Sequence, residues 1–210
     1  MSQLMPTPLL IEPHYLPSIS WFNAVSRHTE IWLDVSSHYE KGSYRNRTLI
    51  LAANGVQRLS VPLEHGRGQK IRSKDLRISY AENWQKNHWQ AICSSYKRSP
   101  FFDYFADMLE PFYARQYPFM IDLQTGLISS LSRMMRLPLD IRLTEHYIEP
   151  HDPQVVDLRN VVHPQHTNPF ELHWLPYTQV FSDRSTFIPD LSIIDVIFNR
   201  GKFNLTDLYL

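Results

Sequence analysis

The sequence predicts a single α/β domain over residues 1–210, with an N-terminal βαβ unit, a mixed sheet that includes an Asn-Gly hairpin, and packed helices. Three observations carry that expectation. Two β-rich runs flank a helical stretch within the first 35 residues, Asn54-Gly55 separates two strand-like runs, and later segments repeat apolar residues at helical spacing.

Leu9 to Glu12 is a short apolar run closed by Pro13. Pro17 and Ser18 open a stretch in which Trp21 and Val25 stand four apart on one helix face. Glu30 to Val35, EIWLDV, is a second β-rich run. Strand, helix and strand in that order predict a right-handed crossover with parallel strands. The loop PHYLP, residues 13–17, then lies at the carboxyl end of the first strand, and Asp34 near the same end of the second. Ligands of open α/β sheets collect there. After a basic turn, RTLILAA and VQRLSVP flank Asn54-Gly55, which readily takes both positive φ angles of a type I′ hairpin turn. A polar loop, EHGRGQK at 64–70, leads to IRSKDLRISY, read as another strand pair or an extended edge.

From Asn83 to Arg98 the residues Trp84, His88, Ile92 and Tyr96 advance along one helical stripe, with Ala91 beside them. Ser99 and Pro100 have the chemistry of an N-cap and first residue for a helix stopped by Pro111. Asp122 is expected to cap a helix to about Met135, where Leu123, Leu127, Leu131 and Met134 share a face. DIRLTEHYI then reads as a strand, and SIIDVIF as a helix packed onto the domain.

Hydrophobic residues at 43% and aromatics at 13% supply enough apolar surface to exclude a disordered chain. Lys plus Arg and Asp plus Glu each number 21, so no global field holds the chain on duplex nucleic acid or anionic lipid. Any anion must be caught locally. Cys93 is the single cysteine, which excludes an internal disulfide and a multi-cysteine metal site and points to the cytoplasm. The first residues lack the basic start and apolar core of an export signal, and no run nears the ~20 apolar residues that span a bilayer, so membrane insertion is not expected.

Lys41, Arg45 and Arg47, with Asn46 between the arginines, form a candidate clamp for phosphate or carboxylate, because guanidinium presents paired N–H donors to two oxygens. A solvated loop with surface ion pairs is the alternative. His14 and Tyr15 lie in the PHYLP loop, where nucleotidyltransferases of the HUP class carry a His- and Gly-rich phosphate signature; here the glycine is missing. His14 as general base with Asp34 as its orienter makes chemical sense, against strand-end capping for both. His88 points to a cleft or the core, and Tyr96 and Lys97, two turns on, are candidates to line the same cleft, with a buried ring and a bonded hydroxyl as the equal alternative for Tyr96. His163, His166 and His173 lack the spacing and companions of a metal site, so neither metal nor cofactor is expected. Cys93 in an apolar helix is not expected to act as a nucleophile.

With these segments in place, the chain resembles the WbqC-like family. The resemblance lies in PHYLPSISWF, YEKGSYRNRTLILAANGVQRLSVPL, ISYAENWQKNHWQAICSSYKRSPFFDYFADML and YTQVFSDRSTFIPDLSIIDVIFNRG, in order along almost the entire chain. Carried over by position, the signature residues are Tyr15, Pro17, Lys41, Arg47, Trp84, His88, Tyr96, Pro100, Phe102, Gln179, Phe181, Asp195 and Asn199. The resemblance implies an association with bacterial surface polysaccharide (O-antigen) biosynthesis. A transferase that places an acyl or aminoacyl group on a nucleotide-linked amino sugar fits it. In that reading Arg45 and Arg47 hold phosphate, Lys41 assists, and His88 or His14 takes a proton from the acceptor. The alternative is a non-catalytic scaffold for envelope-assembly enzymes, docking through the aromatic segment Trp174 to Phe187. The first reading expects the basic turn and His88 to open into one hollow; the second expects a broad apolar patch over Phe181 and Phe187.

Overall fold

The computed structural model of the chain describes residues 5, 7–64, 70–166 and 168–210. The polar loop read at 64–70 therefore lies outside the described residues over 65–69. Four strands form one parallel sheet in the order β5-β2-β1-β6, built from β1 (Leu9–Ile11), β2 (Glu30–Leu33), β5 (Asp140–Leu143) and β6 (Val156–Asp157). The first strand sits inside the sheet with every residue buried, as a parallel strand covered on both faces must be. Between β1 and β2 runs α1 (Ile19–Val25), so the βαβ unit is present with parallel strands. Ser18 caps α1 by accepting the Trp21 N–H, and all seven helical residues are buried.

Taken in chain order the sheet reads third, second, first, fourth. Successive strands are added on one side of β1, and the last returns to its other side. The topological switch therefore falls between β1 and β6, where an open sheet leaves a crevice beyond its carboxyl ends. Sequence periodicity misses β6, which has only two residues beside Pro153; its pairing comes from β1, through Val156 N–H to Pro8 and Leu158 N–H to Leu10.

The strands β3 (Arg47–Ala52) and β4 (Gly55–Ser60) pair antiparallel as a sheet of their own beside the four parallel strands. Ala52 pairs with Gly55, so Ala53 and Asn54 form the turn. The predicted turn is shifted by one residue: Gly55 follows it with φ +104°, a conformation that costs glycine little and other residues much.

The helices are α2 (Trp84–Tyr96), α3 (Phe102–Leu109), α4 (Pro111–Ala114), α5 (Met120–Met135) and α6 (Ile193–Arg200). In α2 the predicted stripe is the buried one: Trp84, His88, Ile92 and Tyr96, joined by Ser95. Three boundaries differ from expectation. Ser99 does not cap α3, which starts after Phe101, because its hydroxyl donates to Asn199 of α6 instead. Pro111 begins α4 rather than ending the helical region, as a proline can at a first turn. Asp122 lies inside the first turn of α5, whose N-cap is Phe119, so it acts on the helix dipole and not as a cap. IRSKDLRISY forms no strand pair. It holds a 3-10 turn at Ser73–Asp75 and single bridges to His38, Leu63 and Phe119, and so serves as a spacer between loops.

One hydrophobic cluster of buried side chains extends from Leu9 to Leu208. No helix among the described residues is long and apolar enough to cross a membrane. The PHYLP loop is held from three directions. Leu16 takes φ +45°, and its carbonyl accepts from the hydroxyls of Thr48 (2.8 Å) and Ser192 (3.0 Å), while Gln124 of α5 donates to the Pro13 carbonyl at 2.9 Å.

Gly201 ends α6 at φ +65°, and a Cβ there would come within 2.6 Å of the Phe101 ring. Gly201→Ala should cost about 2–4 kcal/mol, from backbone strain and overpacking together. Urea unfolding measures this, and an unchanged midpoint would refute the assignment of that contact.

Candidate functional site

At the carboxyl ends of β1, β2 and β6 a cavity of about 810 Å³ opens at the topological switch. Its walls come from four loops. Ser36, Ser37 and His38 follow β2, Glu40 and Arg45 belong to the basic turn, Arg72 comes from the spacer segment, and residues 147–160 precede and follow β6. Arg72 is carried there by backbone pairing with His38. Volume, mixed polarity and position match a small-molecule site of an α/β protein.

The floor depends on Glu12, which follows β1 and is fully buried. Its carboxylate accepts the Asn160 N–H at 3.0 and 3.2 Å and faces His14 Nε2 at 3.3 Å. Burial alone would raise its pKa, but the hydrogen bond from His14, the charges of His14 and Arg45 and the Asn160 N–H outweigh it and bring it to about 2. His14 is buried too. Desolvation lowers its pKa, against the opposing hydrogen bond and charge of Glu12. Because an ionised carboxylate only accepts, Nε2 carries the hydrogen, and Nδ1 is buried without a partner.

Arg45 is only 2% exposed yet lines the cavity. Its Nη1 donates to Asn160 Oδ1 at 3.2 Å, its Nε has no partner, and its nearest carboxylate is Glu40, itself half-exposed and 3.8 Å away. A buried guanidinium with so few acceptors is electrostatically unfinished. Asn160 meets both Glu12 and Arg45 by adopting φ +60°, a conformation asparagine tolerates.

Arg159 is the opposite case. Its fork is closed by Asp157, through Nε at 2.9 Å and Nη2 at 2.6 Å, and Nη1 lies 3.4 Å from Asp34. The hydrogen bonds to Asp157 lead the causes that raise its pKa, and in turn they lower that of Asp157 against the effect of burial.

The candidate residues separate into three groups. Arg45 lines the cavity; His14 does not, though it lies within the field of the Arg45 charge. Asp34 stands at the same sheet end but binds the N–H groups of Ser36 and Ser37, the Ser37 hydroxyl and Arg159; the carboxylate on His14 is Glu12. The second group surrounds the basic turn without lining the cavity: Lys41 is exposed, Asn46 joins the Tyr39 hydroxyl to the Val61 carbonyl, and Arg47 lies near Tyr39 and Tyr44. The third is in the core. The Tyr15 hydroxyl bridges His88 Nδ1 at 2.9 Å and the Tyr113 hydroxyl at 3.0 Å, and the Tyr96 hydroxyl accepts the Leu51 N–H. Lys97, next to it, is exposed. His88 and the arginine turn thus do not share the hollow. Phe181 and Phe187 are partly buried, Tyr177 donates to Asp195 at 2.6 Å, and none of the exposed large apolar side chains falls between Trp174 and Phe187.

Sequence reading missed Glu12, Arg72, Tyr147, Asp157, Arg159 and Asn160. Two signals were available. Glu12 is a carboxylate closing an apolar strand, and Asp157 and Arg159 are two apart just after a β-branched pair.

The sequence profile of the WbqC-like protein family matches residues 12–167, from Glu12 through the cavity walls. The chain belongs to the WbqC-like protein family. A curated relative, the uncharacterized protein Rv1507c of Mycobacterium tuberculosis, is 29% identical over 109 residues, which cover 51% of this chain and 46% of that protein. The match thus spans less than half of that relative's length. No solved structure matches the chain.

In the core, burial lowers the His88 pKa from 6.5 to about 4, against a smaller opposing effect of the Ser60 backbone. Between those values the unfolded chain binds more protons than the native one. Stability is therefore intact above pH 6.5 and is lost as pH falls toward 4, by on the order of 3 kcal/mol. His88→Gln should flatten urea-unfolding stability across that window; an unaltered slope would show that another group titrates there.

Proposed function

We propose that this WbqC-like protein is a transferase acting on a nucleotide-activated amino sugar destined for bacterial surface polysaccharide, with the switch-point cavity as its substrate site. The observation that carries the reading is Arg45, a buried cation that faces the cavity with unused donor capacity. A phosphate oxygen supplies the missing acceptor and charge, and short charge-assisted bonds of this kind are strong. Arg72, exposed on another loop of the cavity wall and without an ion pair among the described residues, is the second phosphate contact. Arg159 is excluded from that role because its own carboxylates saturate it. Glu40 and Asp152 on the rim suit sugar hydroxyls or an amine. His38 and His151 line the cavity, and in this reading one of them takes the proton of the sugar amine as it attacks the carbonyl of an acyl or aminoacyl thioester or ester; the amide forms as the C–S or C–O bond breaks, and the proton passes to the departing thiol or alcohol. The scaffold reading draws no support from the Phe181 region, where no broad apolar patch is exposed.

Calorimetric titration with nucleotide-linked amino sugars tests the reading. Arg45→Gln should weaken binding by about tenfold or more, with the fold checked by circular dichroism. Arg47→Ala, which does not alter the cavity wall, should bind as the parent does. The absence of binding heat with every such sugar, or equal affinity in Arg45→Gln, would overturn it.

A further inference from the structure

The cavity mouth carries one large aromatic side chain with a different task. Tyr147 is 50% exposed, and of the exposed large apolar side chains among the described residues it alone lines this cavity. Its ring is not loose. The guanidinium carbon of Arg159 lies 5.3 Å from the ring centroid, and Arg159, 9% exposed, is itself fixed by Asp157 and Asp34. An aromatic ring against an anchored cation is held in orientation, and cation–π attraction of this kind strengthens when the cation is desolvated. Half of the side chain remains uncovered. Pro150 and Val155 add apolar surface to the same wall.

We propose that Tyr147 is the stacking platform for the nucleobase of the activated substrate, and that Arg159 positions it from beneath. This rests on the reading that phosphates bind at Arg45. Three features favour a flat base over a sugar ring at this point. The platform is a π face backed by a cation, Pro150 and Val155 line the same cavity, and Asp157, the carboxylate beside that cation, is occupied by Arg159 and not free for a sugar hydroxyl. A volume of about 810 Å³ accommodates a nucleoside diphosphate and its sugar together. Stacking tolerates every base, so the platform confers preference for nucleotides over bare phosphates without selecting among them.

The test compares inorganic pyrophosphate with ADP, UDP, CDP and GDP by calorimetry on the full chain. The parent should bind at least one nucleotide more tightly than pyrophosphate. Tyr147→Ala, on the surface and harmless to the core, should lose about tenfold for that nucleotide while retaining its pyrophosphate affinity. Tyr147→Phe keeps the ring and should keep the affinity. Arg159→Gln should weaken the nucleotide more than pyrophosphate. If the parent binds pyrophosphate and nucleotides alike, or if Tyr147→Ala leaves the nucleotide preference intact, the platform is refuted and the Arg45 phosphate site stands. Loss of both ligands in parallel in Tyr147→Ala would also refute it. If the parent binds none of the five, the phosphate reading falls and the platform with it.

Discussion

A single buried anion organises this end of the molecule. Glu12 leaves the central strand as a carboxylate in a place that excludes water, and each neighbour that neutralises it is thereby fixed. His14 is oriented by it, Asn160 is drawn to it across the sheet, and Arg45 is placed within its field. Its backbone carbonyl also accepts the Trp21 indole N–H at 3.0 Å, which ties the first helix to the same residue. A buried charge left alone would cost several kcal/mol, so the loops after β1 and β6 and the turn before β3 must converge for the fold to be stable. The cavity is the space left above that convergence.

Arg45 and Arg159, two of the three cavity arginines, show why composition alone cannot identify a binding residue. Both lie at the carboxyl end of the sheet and both are nearly buried. One carries its own carboxylates and is a structural brace; the other has a distant, half-exposed carboxylate and an amide oxygen. The difference lies in what stands around each guanidinium, and those neighbours are more than 100 residues away in the case of Arg45 and Asn160.

Local pattern made the helical stripe of α2, the βαβ start and the hairpin legible, because each depends on spacing between near neighbours in the sequence. The carboxyl end of the first two strands was legible as a ligand region for the same reason: strand order fixes where loops emerge. His88 was correctly placed on an apolar stripe, but periodicity cannot distinguish a stripe that faces a cleft from one that meets Tyr15 and Tyr113 in the core. The wall of residues 147–160 was invisible, since a two-residue strand has no period and owes its existence to pairing with β1. Glu12 was passed over as the end of an apolar run, though a carboxylate in such a run must be compensated by something.

The conformation of Leu16 has a consequence for the order in which the molecule is completed. A leucine at φ +45° is strained, and the hydroxyls that hold its carbonyl come from the start of the hairpin and from the residue before the last long helix. During synthesis Ser192 emerges long after Thr48. The bend that carries His14 and Tyr15 therefore acquires both of its hydroxyl locks only when the segment bearing Ser192 docks against it, so the binding floor is finished later than the strand it extends.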